Sequence, residues 1–170
     1  MGEAAEEEEY IFNNLWTLYF HDPYDEEWVS SSYKIQTVIT TPQDWLQINL
    51  SYIDLWSKGM FFLMREDIQP LWEDPLNKNG GCFSYKVNKP DVAKYWLELG
   101  AKLMTDSITK DVAHIDKVCG VSVIPKRNYC IIRIWISNSE FNNIELYNVD
   151  IPPYTVVMYK KHGDNTDFDK

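Results

Sequence analysis

Pro70-Leu71-Trp72-Glu73-Asp74-Pro75, running into Asn77-Lys78-Asn79-Gly80-Gly81, sets an indole beside two carboxylates. Prolines frame the stretch and a glycine pair closes it, which predicts a loop between two strands. A flat aromatic face next to a fixed pair of acceptors suits a planar, electron-poor ring that donates N–H groups. Guanine methylated at N7 is such a ring: cationic, flat, and donating from N1 and N2. Taken alone, a loop tryptophan more commonly folds back into the core as an anchor. The reading therefore depends on what the rest of the chain places beside it.

Trp28 is a second indole outside any helical or strand pattern, at the far edge of the polar turn 21–27. Two loop indoles that converge at one rim of a curved sheet make a slot for a base. Stacking contributes roughly 1–3 kcal/mol per base, and a positive charge on the ring adds a cation–π contribution of roughly 0.5–2 kcal/mol. Stacking tolerates any base, so preference must come from hydrogen bonding. Glu73 supplies it: a carboxylate only accepts, which matches the paired N–H donors on one edge of guanine. A wrong base leaves that acceptor unpaired. Lys126 and Arg127, in the turn 125–128, carry charge that could meet phosphates on the nucleotide. A basic pair on a turn is also commonly just a solvated tip.

These residues need elements to position them. Strands are predicted over 14–20, which alternates, 33–40, rich in β-branched residues, 59–65, an apolar run expected to be buried on both faces, and 81–87, 118–124, 129–136 and 155–160. The fourth is expected to pair with the third across the Trp72 loop. Thr41-Pro42-Gln43-Asp44 opens a helix to about Leu50, with Trp45 and Ile48 facing inward. Asn88-Lys89-Pro90-Asp91 opens a second, carrying Val92, Tyr95, Trp96, Leu99 and Leu103 at helical spacing. A helical turn is expected at 110–115, and a third helix over 140–147, capped by Ser139. The fold class is α+β: a curved antiparallel sheet of about seven to eight strands, with about three helices on its convex face. Its helix-free concave face is the natural binding surface.

At 170 residues the chain reads as one domain, residues 10–163, between acidic tails at 1–9 and 164–170 expected to be disordered. The net charge of -10 argues against a protein that grips long stretches of phosphate backbone. Five glutamates in 1–9 and three aspartates in 164–170 carry most of it, and leave about -3 on residues 10–163. No apolar run is long enough to span a bilayer and no signal-peptide pattern opens the chain. Cys82, Cys119 and Cys130 lack disulfide or zinc spacing, so no metal or cofactor is expected and the setting is reducing, cytoplasmic or also nuclear.

In this order, Trp16-Thr17-Leu18-Tyr19-Phe20, Trp28, the Trp72–Gly81 block, Tyr95-Trp96-Leu97-Glu98, Val118-Cys119-Gly120-Val121, Ile134-Trp135 and Pro152-Pro153 resemble the eukaryotic translation initiation factor 4E family of mRNA cap-binding proteins. The resemblance implies that Trp28 and Trp72 sandwich 7-methylguanine, that Glu73 binds its N1 and N2 protons and that Trp135 lies against the N7-methyl. It implies phosphate contact at Lys126, with Arg127 in partial compensation for Ile131, which stands where a basic residue is common. Asn79 likewise stands where many members carry a phosphate-site arginine. Lys160, Lys161 and His162 are alternative carriers of that grip, and the binding is expected to depend only shallowly on salt.

The resemblance also implies a partner on the helical face: a scaffold initiation factor 4G-like protein or a 4E-binding protein, docking an amphipathic helix. Leu97 and Glu98 match that contact. Tyr10-Ile11 replace a His-Pro pair, and Leu46 replaces a tryptophan, with Trp45 one position earlier and turned about 100° into the core. These departures keep open a cap-binding repressor that does not recruit the scaffold. A hydrolase using Glu73, Asp74 and His21 or His162 is the reading from another class, disfavoured because no nucleophile, metal or phosphate-loop motif accompanies them.

Overall fold

The computed structural model describes residues 8–163; most of both expected acidic tails lies outside them. Seven strands form one antiparallel sheet: β1 (Trp16–His21), β2 (Lys34–Ile39), β3 (Met60–Arg65), β4 (Gly81–Asn88), β5 (Val118–Pro125), β6 (Tyr129–Ile136) and β7 (Met158–Lys161). Their order across the sheet is β2-β1-β3-β5-β6-β4-β7.

That order corrects one expectation. β3 pairs with β1 and β5, whereas β4 pairs with β6 and β7. The connection from Arg65 to Gly81 is therefore no hairpin. It crosses the ends of β5 and β6, a span of roughly 14 Å at ~4.8 Å per strand. A two-residue turn cannot do this, which explains the length of the Trp72 loop.

Two helices cover one face. α1 (Pro42–Tyr52) starts with a capping box: Asp44 N–H donates to Thr41 Oγ1 at 3.1 Å, and Thr41 N–H donates to Asp44 Oδ2 at 3.0 Å. α2 (Val92–Met104) buries Val92, Trp96, Leu99 and Leu103. Gly100 weakens the propensity of α2, yet a Cβ there would lie 2.3 Å from Trp45 Cζ2. The glycine lets the α1 indole approach the α2 backbone closely, and Trp45 Nε1–H donates to the Leu97 carbonyl at 3.1 Å. Trp45, Trp56 and Trp96 meet at centroid separations of 5.6–6.1 Å. Each such ring removes on the order of 200 Å² from water, an upper bound of about 5 kcal/mol.

The third helical segment is looser than the sequence suggests. Residues Ser139–Phe141 and Ile144–Leu146 form two single 3-10 turns. Their caps are Asn138 and Asn143, whose side chains accept from Glu140 N–H and Glu145 N–H. Asparagine side chains that capture the local backbone compete with continuous α-helix. The turn expected near 110–115 is a 3-10 helix at Val112–Lys117.

Strand alternation sorts the remaining side chains. Phe61 and Leu63 enter the core beneath the helices, while Met60, Phe62 and Met64 join Tyr19, Cys82, Cys119 and Trp135 on the opposite face. No helix among the described residues is long and apolar enough to cross a membrane.

Candidate functional site

The helix-free face holds a cleft of about 370 Å³, walled by Trp28 and Trp72, with Glu73 on its rim and Trp135 and Phe62 on its floor. Its size falls within the usual range for small-molecule sites. Trp28 and Trp72 do not rise from one rim, as the sequence suggested. Trp28 follows β1, whose last residue His21 pairs with Met60 at the start of β3; Trp72 follows the other end of β3. The two indoles lean over the sheet from opposite ends. They remain 45% and 48% exposed, which excludes the core-anchor reading of either.

Each wall has its own brace. The β1–β2 turn is shaped by Asp22 and Asp25, whose side chains accept from the N–H groups of Tyr24 and Glu27. Behind it lies fully buried His21, stacked on Trp28 with centroids 4.4 Å apart. Its Nδ1 is 3.2 Å from Ser32 Oγ, and its Nε2 is 3.2 Å from the Asp25 carbonyl. Tyr33 also packs against it, centroids 4.8 Å apart. His21 thus supports Trp28 and does not line the cleft, which removes it from the acid–base set considered from sequence.

The second wall separates the two neighbouring carboxylates. Glu73 lines the cleft. Asp74 is turned into its own loop, accepting from Gln69 N–H and Leu76 N–H, each at 2.9 Å. Asn77 is fully buried and donates from Nδ2 to the carbonyls of Gln69 and Leu71, at 3.0 and 2.8 Å. The acceptor pair expected beside Trp72 is therefore split, with one carboxylate lining the cleft and one held by the loop.

On the floor, Trp135 is 6% exposed and its Nε1–H donates to buried Ser122 Oγ at 3.0 Å. His162 lies against it, centroids 5.3 Å apart, with Nε2 3.8 Å from Cys82 Sγ. Burial, reinforced by the nearby Arg133 guanidinium, pulls the His162 pKa down to about 4. The imidazole is neutral at pH 7, so it offers a hydrogen bond and no charge. The Cys82 thiol is pushed up by burial, which keeps it protonated and inert.

The remaining expected positions spread differently. Lys126 and Arg127 are exposed on the β5–β6 turn, where Lys126 N–H donates to the Tyr129 carbonyl at 2.8 Å, and neither lines the cleft. Arg133 and Lys160 do line it. Asn79 is exposed, and its carbonyl accepts from Ser139 N–H. Tyr10, Ile11 and Leu46 are exposed, Leu97 and Glu98 are half-buried on α2, and Trp45 is core. Among the described residues, no group of three or more His, Cys, Asp or Glu side chains could hold a metal ion.

Sequence reasoning missed Arg133 and the bracing role of His21. Both were reachable by alternation: Arg133 is two residues before Trp135, and His21 two after Tyr19, each on the open face.

A helix-backed antiparallel sheet whose open face carries an aromatic-walled cleft defines a binding module of the α+β class. The family model described as eukaryotic initiation factor 4E matches residues 11–170. Eukaryotic translation initiation factor 4E of Bos taurus and of Homo sapiens are each 28% identical over 181 residues, covering 95% of this chain and 81% of the relative. Wheat (Triticum aestivum) translation initiation factor NCBP is 32% identical over 107 residues, 59% of this chain and 44% of that protein. The solved complex of C. elegans eIF4E-3 with the 4E-binding protein Mextli and cap analog superposes with a TM-score of 0.75 at 20% identity, covering 92% of this chain and 94% of that one. The chain belongs to the eukaryotic initiation factor 4E family, translation initiation factors that bind the mRNA cap.

Proposed function

We propose that the cleft binds the 7-methylguanosine cap of mRNA, with the base stacked between Trp28 and Trp72, and that the protein acts in translation initiation. The observation that carries the reading is the pair of half-exposed indoles lining one cleft, Trp28 backed by the buried His21 ring and Trp72 carried on a loop whose backbone Asn77 braces. Exposed indoles with braced backbones lose little conformational freedom on stacking, so most of the ~1–3 kcal/mol per partner is retained. Glu73 accepts from N1–H and N2–H of guanine, and Trp135 faces the N7-methyl. Burial of the methyl cation between π faces favours the methylated base over guanine itself.

On the helical face, Leu97 and Glu98 with exposed Tyr10, Ile11 and Leu46 form the surface for a scaffold or 4E-binding partner. The solved C. elegans relative is itself in complex with a 4E-binding protein. The altered residues at 10, 11 and 46 also favour a second reading, a cap-binding repressor that occupies caps without recruiting the scaffold. The site of action is cytoplasmic.

Retention on immobilised 7-methyl-GTP, with elution by free 7-methyl-GTP and not by GTP, tests the base reading. Equal elution by both nucleotides refutes its dependence on the methyl cation. Turnover of a cap analogue by the pure protein would revive the hydrolase.

A further inference from the structure

The family resemblance left a gap: Asn79 and Ile131 occupy positions where phosphate-binding bases are common, and Lys126 and Arg127 lie outside the cleft. Among the described residues, the cationic side chains that line the cleft are Arg133 and Lys160. We infer that Arg133 and Lys160 hold the phosphate chain of the bound nucleotide, on the sheet floor, in place of the β5–β6 turn. The inference rests on the cap reading proposed above.

Register fixes where these two groups stand. Cys82 pairs with Trp135 on one side and Lys160 on the other, so Trp135, Cys82 and Lys160 form one row across β6, β4 and β7. Lys160 is two strands from Trp135, roughly 10 Å at ~4.8 Å per strand. Arg133 is two residues from Trp135 on the same face of β6, about 7 Å away at ~3.4 Å per residue. The turn at Asn128–Tyr129 lies six or more residues from Trp135, about 20 Å along the strand. A base beside Trp135 therefore has a guanidinium and an ammonium within reach of its first phosphates, with the turn lysine further out.

Local electrostatics agree. The guanidinium of Arg133 is close enough to help hold His162 neutral and to oppose the burial effect on Cys82. Its positive charge is thus felt across the floor of the cleft. Arginine on a strand, with its planar fork, suits phosphate oxygens better than an exposed turn lysine outside the cleft.

The test compares 7-methyl-GTP with 7-methylguanosine, which lacks phosphates, by fluorescence titration. Arg133→Gln and Lys160→Gln are each expected to weaken 7-methyl-GTP about tenfold and to change 7-methylguanosine less than about twofold. Arg133→Lys should recover part of the loss, and its salt dependence should stay closer to wild type than that of Arg133→Gln. The Lys126→Gln/Arg127→Gln double variant is expected to stay within about twofold for both ligands. Lys160 lies on an edge strand, so its variant keeps the test open if Arg133→Gln folds poorly. The inference is overturned if the turn variants lose 7-methyl-GTP while the floor variants keep it. Equal loss of nucleoside and nucleotide in both floor variants overturns it too. Wild-type protein that binds neither ligand removes the cap reading; one that binds both equally, unaffected by the floor variants, removes only this inference.

Discussion

The imidazole of His21 lies under the indole of Trp28, ring centroids 4.4 Å apart and planes 24° from parallel. A fully buried ring behind a half-exposed one is a backing plate: it fixes the tilt of Trp28 before any ligand arrives. Aromatic pairs contribute about 0.5–1.5 kcal/mol beyond area, or roughly 2–10-fold in affinity. His21→Ala should therefore weaken 7-methyl-GTP by up to about tenfold, whereas His21→Phe, which keeps a flat ring, should stay near wild type. Titration of Trp fluorescence reads both, and equal affinity in His21→Ala and wild type would show that the plate is dispensable.

Trp72 and Glu73 are exposed, so their removal isolates binding from folding. Trp72→Ala and Glu73→Ala should each cost about 2 kcal/mol or more in 7-methyl-GTP binding, near thirtyfold. Their unfolding midpoints should match wild type within about 0.5 kcal/mol. A Glu73→Ala protein that binds 7-methyl-GTP unchanged would remove the carboxylate from base reading.

Asn77 makes the opposite case. Its buried amide donates to two loop carbonyls, and Asn77→Ala leaves both without that donor. Each unsatisfied buried group costs about 1–3 kcal/mol, so a stability loss of about 2 kcal/mol or more is expected. Urea unfolding should show a lower midpoint at similar slope. Binding should fall with it, because Leu71 precedes Trp72 and shares the brace. Stability loss with full affinity would separate the loop brace from the wall.

The sequence carried burial on both faces of the sheet, because the unbroken apolar run of β3 sends Phe61 and Leu63 one way and Phe62 and Met64 the other. It also carried the walls, since Trp28 and Trp72 break every periodic pattern. Strand order was not legible in the loop, because a fifteen-residue connection from Glu66 to Gly80 fits a wide hairpin or a crossover equally. Neighbouring side chains with opposite tasks were also hidden. Glu73 and Asp74 look alike until Asp74 is seen holding Gln69 and Leu76 N–H groups. The loss of the third helix followed from local competition by Asn138 and Asn143, which composition alone does not weigh against helical spacing.

On the helical face, exposed Leu46 presents a smaller contact than the tryptophan the family resemblance expects there. Aromatic anchors dominate such interfaces, often by 2 kcal/mol or more. A peptide with the Tyr-x-x-x-x-Leu-apolar motif should bind weakly, and Leu46→Trp should strengthen it about tenfold or more, read by calorimetry. Tight binding to wild type, unchanged in Tyr10→Ala and Leu46→Ala, would mean the partner docks elsewhere.

His162 links the cleft to pH. Arg133 adds to the burial that holds its pKa near 4, while the unfolded side chain titrates near the ordinary value of about 6.5. Between those values the unfolded chain binds a proton that the folded one does not, so stability falls as pH drops from about 6.5 and levels off below about 4. His162→Gln removes that titration; the difference between variant and wild-type urea midpoints should shrink or invert across the same window. A ligand phosphate beside Arg133 offsets the positive charge and raises the His162 pKa above about 4, with the burial effect left in place, so binding should take up protons in the acidic range just above that value. Calorimetry of 7-methyl-GTP in two buffers of different ionisation heat measures that uptake. Its absence in His162→Gln, with presence in wild type, assigns it to this imidazole; equal uptake in both assigns it to another group.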